Sequence, residues 1–278
     1  MFLIILAIVV VIAVIILVDS NTRLITTEFE LSYANLPDAF DGYRIVLLAD
    51  MHGVELGDDS IRLVEAIKEA RPDIITIAGD LIDRHQPSRP VERQLETAQT
   101  LVRQLVEIAP VYYVTGNHEW DSGKARELFV MLEESGVDVL RNRFRRITLG
   151  GDSIILAGVD DPGGPADMIK PEDFIGNIFE REDVDFMVVL NHRNYSLSMM
   201  SRLGVDLVLS GHAHGGMVRL PLTDGLIGPS YELFPTFTNG VYTERNTNMV
   251  VSRGLGNHFG WTRFLNNPQV VVVELRTQ

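Results

Sequence analysis

The sequence predicts an α/β protein, one sandwich of two β-sheets flanked by helices, preceded by a single membrane-spanning helix. Three observations carry this expectation. Residues 2–18 form an unbroken apolar run. From there to about residue 134, strand-like and helix-like periodicities alternate. Beyond that point short strand-like segments dominate, and no repeat, low-complexity tract or composition break marks a second domain.

The N-terminal run has neither a charge nor a polar side chain between Phe2 and Val18. As a helix it spans roughly 26 Å at ~1.5 Å per residue, enough for a thin hydrocarbon core. A signal peptide is the competing reading. Against it stand the missing basic n-region, a run longer than the usual h-region, and no small-residue cleavage site better than Val18 and Ser20. The expectation is therefore an uncleaved anchor over residues 1–20 and one domain over residues 21–278, a single-pass protein of the cell membrane. Arg23 is the lone nearby cation and tilts the domain toward the cytoplasm, a thin basis that leaves the side open.

After the anchor, residues 24–31 alternate as a strand. Residues 44–49 form a compact apolar strand ending at Asp50. Ile61, Val64, Ile67 and Ala70 repeat at helical spacing until Pro72 stops them. Residues 73–78 are strand-like and end at Gly79-Asp80. Leu95, Ala98, Leu101, Leu105 and Ile108 give residues 91–108 an amphipathic helical face. Residues 111–115 are a strand ending at Gly116-Asn117-His118, and residues 126–134 a helix. Strands are then expected at 137–140, 143–149, 153–159, 185–190, 205–210, 217–220, 248–252 and 270–275, with a short helix near 196–203. Residues 231–245 show no clear periodicity.

Composition narrows the chemistry. The chain has 278 residues, 46% of them hydrophobic, enough for a substantial core. It has no cysteine, which excludes disulfides, thiolate metal sites and cysteine nucleophiles. Any metal must be held by imidazole, carboxylate or amide groups. A formal charge of −14 argues against nucleic acid as a partner, because phosphate backbones need a basic footprint.

Five strand-like segments end in possible metal ligands. Asp50-Met51-His52 and His212-Ala213-His214 each offer two at i and i+2, which an extended backbone points the same way. Asp80 follows Gly79, where the missing Cβ leaves room for an ion. Asn117 and His118 follow Gly116, and His192 ends one more apolar run. Each alone has an ordinary reading. Asp80 fits a turn or helix cap, Asn117 a loop former, and His192 a hydrogen-bonded core or surface histidine. The combination is what points to metal chemistry. His85 and His258 do not fit it.

The order of these blocks resembles the calcineurin-like metallophosphoesterases, whose pattern is D-x-H, G-D-x-x-D, G-N-H-(E/D), a lone His and G-H-x-H. The matching residues are Asp50 and His52; Gly79, Asp80 and Asp83; Gly116, Asn117, His118 and Glu119; His192; and Gly211, His212 and His214. The resemblance covers about residues 42–276. Its C-terminal half, around Asp206 to Gly216 and Ser252 to Gly256, is similar to the membrane-associated branch that includes bacterial lipid-precursor pyrophosphatases. The resemblance implies the four-layer α-β-β-α form of the sandwich. It also implies two divalent ions (Mn, Fe, Zn or Co), one on Asp50, His52 and His214 and the other on Asn117, His192 and His212, with Asp80 bridging. Two cations ~3.5–4 Å apart repel, and a shared carboxylate and hydroxide offset that.

The implied reaction is attack of the bridging hydroxide on phosphorus, with His118 protonating the leaving oxygen and Asp83 orienting His118. Asp83 also fits a helix-start cap. Arg84 stands where some relatives place a phosphate-binding arginine, and it also fits a solvated loop. Asp160 and Asp161 read as loop residues outside the site. Tyr231, Phe234, Phe237, Tyr242, Phe259 and Trp261 fit ordinary packing better than an apolar substrate groove. The expected activity is hydrolysis of a phosphodiester or pyrophosphate; the expected partners are a phosphate-containing substrate, lipid-linked in the leading reading, and the membrane through the N-terminal helix. Alternatives are a phosphomonoesterase or cyclic-nucleotide phosphodiesterase, a metal-dependent amidase or lactamase, and a non-catalytic metal-binding scaffold. The amidase reading lacks the H-x-H-x-D-H context its sites use.

Overall fold

The computed structural model describes residues 1–84, 88–165, 168–220, 224–229, 231–257 and 262–278. The chain opens with α1 (Phe2–Thr22), then β1 (Ile25–Tyr33), β2 (Arg44–Leu48), α2 (Ile61–Ala70), β3 (Ile74–Ala78) and α3 (Val91–Leu105). It continues through β4 (Val111–Val114), α4 (Asn117–Asp121), α5 (Ala125–Glu134), β5 (Asp138–Val139), β6 (Arg143–Leu149) and β7 (Asp152–Gly158). The remainder is α6 (Pro171–Arg181), β8 (Met187–Leu190), α7 (Leu197–Leu203), β9 (Leu207–Ser210), β10 (Gly240–Glu244), β11 (Thr247–Val251) and β12 (Gln269–Thr277).

These strands form two six-stranded mixed sheets, ordered β1-β12-β2-β3-β4-β5 and β10-β11-β9-β8-β7-β6. Strand periodicity builds the layers. Along β2, Val46 and Leu48 face α2, α3 and α5, whereas Ile45 and Leu47 face the other sheet. Along β8, Val188 and Leu190 point into that shared interior, and Met187 and Val189 meet α6 and α7. The result is helix, sheet, sheet, helix, with three apolar cores between the layers, the four-layer sandwich the sequence predicts.

The central strands of both sheets run parallel, β2-β3-β4 in one and β7-β8-β9 in the other. Their C-terminal ends therefore open at one end of the sandwich, where open α/β sheets place their ligand crevices.

Three local expectations differ from the structure. Residues 217–220 make no regular strand, because Met217 sits at φ 38 after two positive-φ glycines; only isolated bridges form there. A strand, β10, occupies part of the stretch without periodicity; it forms a hairpin with β11 across Arg245 and Asn246. Helix α6 was not anticipated, although Pro171 in its first turn, Glu172 and Asp173 there and Arg181 at its end are conventional helix signals.

Helix α1 is long and apolar enough to cross a membrane, and none of its best apolar window is buried by the rest of the chain. Its C-terminal end is docked on the sandwich. Asn21 Nδ2 donates to the Arg263 carbonyl at 2.8 Å, Asn267 Nδ2 to the Asp19 carbonyl at 2.8 Å, and Arg62 Nη2 to the Thr22 carbonyl at 2.8 Å.

Candidate active site

Each parallel strand delivers its block to the same crevice. Asp50 and His52 follow β2, Asp80 and Asp83 follow β3, and Asn117 and His118 begin the short α4 after β4. His192 follows β8, and His212 and His214 follow β9. The i, i+2 pairs are not extended as expected. Asp50, His52, Asp80, His212 and His214 all have positive φ, between 48 and 70. Each is a left-handed kink that turns its side chain inward off the strand end. Such strained non-glycine residues concentrate at functional sites because the surrounding packing must hold them.

The glycines beside them serve loop contact more than ion clearance. A Cβ on Gly79 would lie 2.4 Å from the Gly116 nitrogen, and one on Gly116 would lie 2.2 Å from Asp80 Oδ1. The two loops touch because neither has a side chain at that point.

Asp80 lies between two groups of donors. Asp50, His52, Asp80 and His214 have ligand atoms within 4.8 Å of one another, as do Asp80, His192 and His212. His52 Nε2 is 3.1 Å from His214 Nε2, and His192 Nε2 is 3.1 Å from both Asp80 Oδ2 and His212 Nδ1. The Ala78 carbonyl accepts from His192 Nδ1 at 2.8 Å, which turns Nε2 toward the cluster. Asn117 Oδ1 is buried without a hydrogen-bond partner. An orphaned buried amide oxygen is costly, and a cation is the partner its chemistry fits.

The electrostatics point the same way. Burial disfavours charge on Asp80, yet His192, His118 and His52 together hold its carboxyl well below the usual range. Burial pushes Asp50 up to about 7 against the pull of His192, with Asp80 adding to the rise. Burial, with His192 and Arg193 nearby, keeps His212 well below its ordinary value; burial, with His52 and Arg263, does the same for His214. Burial lowers His192, but the Asp80 charge and hydrogen bond outweigh it and raise it to about 10. Asp80, His212 and His214 thus carry the protonation states a divalent ion requires, whereas the His192 proton is one that an ion would displace.

His118 stands at the edge of this cluster. Its Nδ1 is 2.6 Å from Asp83 Oδ1, and its Nε2 is 4.0 Å from Asp80 Oδ2. Burial lowers its pKa, but the Asp83 hydrogen bond and the Asp80 charge outweigh that and raise it. Arg84 is exposed beside Asp83, and its backbone N–H donates to Asp83 Oδ1 at 2.7 Å.

Residues 43–216 match the family model described as calcineurin-like phosphoesterase. The chain belongs to the calcineurin-like phosphoesterase family. Among its relatives, a metallophosphoesterase of Bacillus subtilis, YkuE, is 29% identical over 91% of this chain and 85% of its own length. A zebrafish (Danio rerio) protein named as a transmembrane protein with a metallophosphoesterase domain is 31% identical over 70% of this chain. This chain spans 45% of that relative's length. Among solved structures, Haemophilus influenzae NAD nucleotidase superposes with a TM-score of 0.51 at 15% identity, covering 76% of this chain and 50% of that one, which is a likeness of fold. Membership in the family and the clustered His and Asp side chains make this a site for divalent metal and phosphoester chemistry.

Several residues of this phosphoesterase site escaped sequence reasoning. Glu119, fully buried, accepts from the backbone N–H groups of Asp80, Leu81, Ile82 and Gly116, so one carboxylate clamps the two central loops together. Burial and Asp80 raise it to about 7. Its place in the Gly116-Asn117-His118-Glu119 block was the available signal. Asp161, set aside as a loop residue, is buried and grips Arg193 at 2.6 and 3.1 Å; Arg193 Nη1 lies 3.1 Å from His212 Nε2. The structure makes Arg193 a brace for the second loop group. Asp160 is buried too, paired with Arg141 and accepting from Thr115. Of the aromatics, Phe237 and Tyr242 pack edge to face, Tyr231 and Phe234 are exposed, and Phe259 and Trp261 lie outside the described residues, as do His85 and His258.

Proposed function

We propose that this protein is a membrane-anchored, dinuclear-metal phosphoesterase that hydrolyses a phosphodiester or pyrophosphate bond in a lipid-linked substrate. Residues 1–20 serve as its anchor and residues 21–278 as its catalytic domain. The observation that carries the reading is the position of Asp80, common to both groups of ligand atoms. Asp50, His52 and His214 hold one ion, Asn117, His192 and His212 the other, and Asp80 serves both. Bound there, the ions supply Lewis-acid charge that polarises the phosphoryl group and acidifies water.

The remaining steps belong to side chains. Asp83 accepts from His118 Nδ1 and so keeps the proton of the raised imidazole on Nε2, aimed at the crevice. From there His118 protonates the leaving oxygen. Arg193 on the second sheet and Arg84 on the first contribute positive charge toward the phosphate. A cavity of about 200 Å³ beside His192 and Arg193, lined also by Pro162, Tyr195, Met199 and Met200, accepts an apolar substituent on that phosphate. It favours an ester or anhydride carrying an organic group over a bare phosphate. The likeness of the C-terminal motifs to lipid-precursor pyrophosphatases and the apolar α1 support the lipid-linked substrate.

The test uses the full chain in detergent with Mn²⁺. The expected result is hydrolysis of bis-p-nitrophenyl phosphate but not of an amide analogue, falling by roughly 10³-fold, about 4 kcal/mol of barrier, in Asp80→Asn. Turnover that survives Asp80→Asn would overturn the two-ion reading.

A further inference from the structure

Among the described residues outside α1, half of the exposed large apolar side chains lie elsewhere, Ile61, Val130 and Leu149 among them on separate elements. The other half form one group. Tyr231 is 76% exposed, Leu233 and Phe234 are each 67% exposed, and Leu220 and Leu265 are exposed beside them in the same folded unit. That unit is a short ladder of isolated bridges running Phe264, Val218, Ile227, Leu233. At ~4.8 Å per step its outer rung lies roughly 15 Å from Phe264.

The ladder is fixed at its Phe264 end, and Leu233 is its outer rung. At the fixed end, Arg263 and Asn267, on either side of Leu265, are residues that dock α1 through Asn21 and Asp19. At the same end, Asn266 Nδ2 donates to the carbonyls of His214 and Met217 at 2.7 and 3.2 Å, tying the base of the ladder to the metal-cluster loop. No linker separates α1 from the domain, because Asp19, Asn21 and Thr22 are all hydrogen-bonded to the sandwich. If residues 2–18 occupy the hydrocarbon, residues 19–23 lie in the headgroup layer. The surface around Leu265 then lies there too.

We propose that this ladder is a lip that rests in the bilayer, with Leu220, Tyr231, Leu233, Phe234 and Leu265 entering the interfacial layer of the membrane that α1 spans. Leucines and aromatics are the side chains that layer accepts. The proposal rests on the anchored reading above and deepens it. The crevice beside His214 faces the lipid surface, and the substrate's phosphate reaches the site while its apolar part stays in the membrane.

The chain has no cysteine, so a single introduced cysteine takes a fluorophore uniquely. Val9→Cys, Leu233→Cys and Leu149→Cys, each in the full chain, are labelled with an environment-sensitive dye. They are then reconstituted into phosphatidylcholine–phosphatidylglycerol vesicles containing doxyl-lipid quencher. Leu149 ends β6 at the turn into β7, at the end of the sandwich opposite the crevice, and serves as the exposed control. The expected result is strong quenching at Val9 and several-fold more quenching at Leu233 than at Leu149. A Leu233 label that behaves like Leu149 while Val9 is quenched overturns the lip and leaves the anchor standing. An unquenched Val9 label overturns both. A second readout is Leu233→Asp with Phe234→Asp, both exposed. Hydrolysis of bis-p-nitrophenyl phosphate stays within twofold, while turnover of a phosphodiester lipid in vesicles drops about tenfold. Equal rates on the lipid for this variant and wild type would contradict the lip.

Discussion

The two sheets meet at one crevice but equip it differently. The first sends Asp50, Asp80, His52, the Asn117 amide and His118, and binds its loops with one buried acid, Glu119, that grips backbone N–H groups. The second sends only imidazoles from β8 and β9. It braces them with a chain of side chains, Asp161 to Arg193 to His212. Backbone clamping fixes where the first group's loops lie. Side-chain bracing leaves the second group's orientation open to single substitutions. Removing a brace should therefore damage stability on the first side and metal affinity on the second.

The largest expected effect is on chemistry unique to the first side. His118→Ala should cost roughly 10²–10⁴-fold in kcat on a diester with an alkyl leaving group and far less on a nitrophenyl ester, whose leaving oxygen needs no proton. Because Asp83 and Asp80 raise His118, the protonated acid is lost, and the rate falls, as pH rises through that raised value. Asp83→Asn removes a raising partner, so the falling limb of the pH–rate profile should move to lower pH. A limb that stays in place would show that His118 is not the group titrating.

A smaller effect should separate the two kinds of brace. In Glu119→Gln one oxygen still accepts from Leu81 and Ile82, but an NH₂ now faces the N–H groups of Asp80 and Gly116. Two buried donors left unsatisfied cost about 2–4 kcal/mol, read as a fall in the denaturation midpoint. Smallest is Arg193→Lys, which keeps a cation on the buried Asp161 and should leave that midpoint near wild type while weakening metal binding by roughly 10–100-fold, read by titration with Mn²⁺. If Arg193→Lys unfolds the protein and Glu119→Gln only loses metal, the contrast between the sheets is wrong.

The ligand blocks were legible because they sit at strand ends, where an apolar run gives way to glycine and a polar group. The sandwich was legible because β3, β8 and β9 are short, wholly buried runs and β2 is buried from Ile45 on. What the sequence hid depended on residues distant along the chain. Glu119 clamps a loop 37 to 39 positions earlier, and Asp161 meets Arg193 only because β7 lies beside β8. The left-handed kinks at Asp50 and His214 were invisible because ordinary residues there carry no backbone signature. The lip was hidden for another reason: its rungs are single bridges with no strand period, and only the docking of α1 gives them a direction.

The central claim is that Asp80 joins two ions, and metal content tests it most directly. Full-length protein loaded with Mn²⁺ and freed of excess should contain two ions per chain by elemental analysis, and Asp80→Asn should retain at most one, with hydrolysis lost. One ion per wild-type chain, or two retained with full activity in Asp80→Asn, would contradict the account.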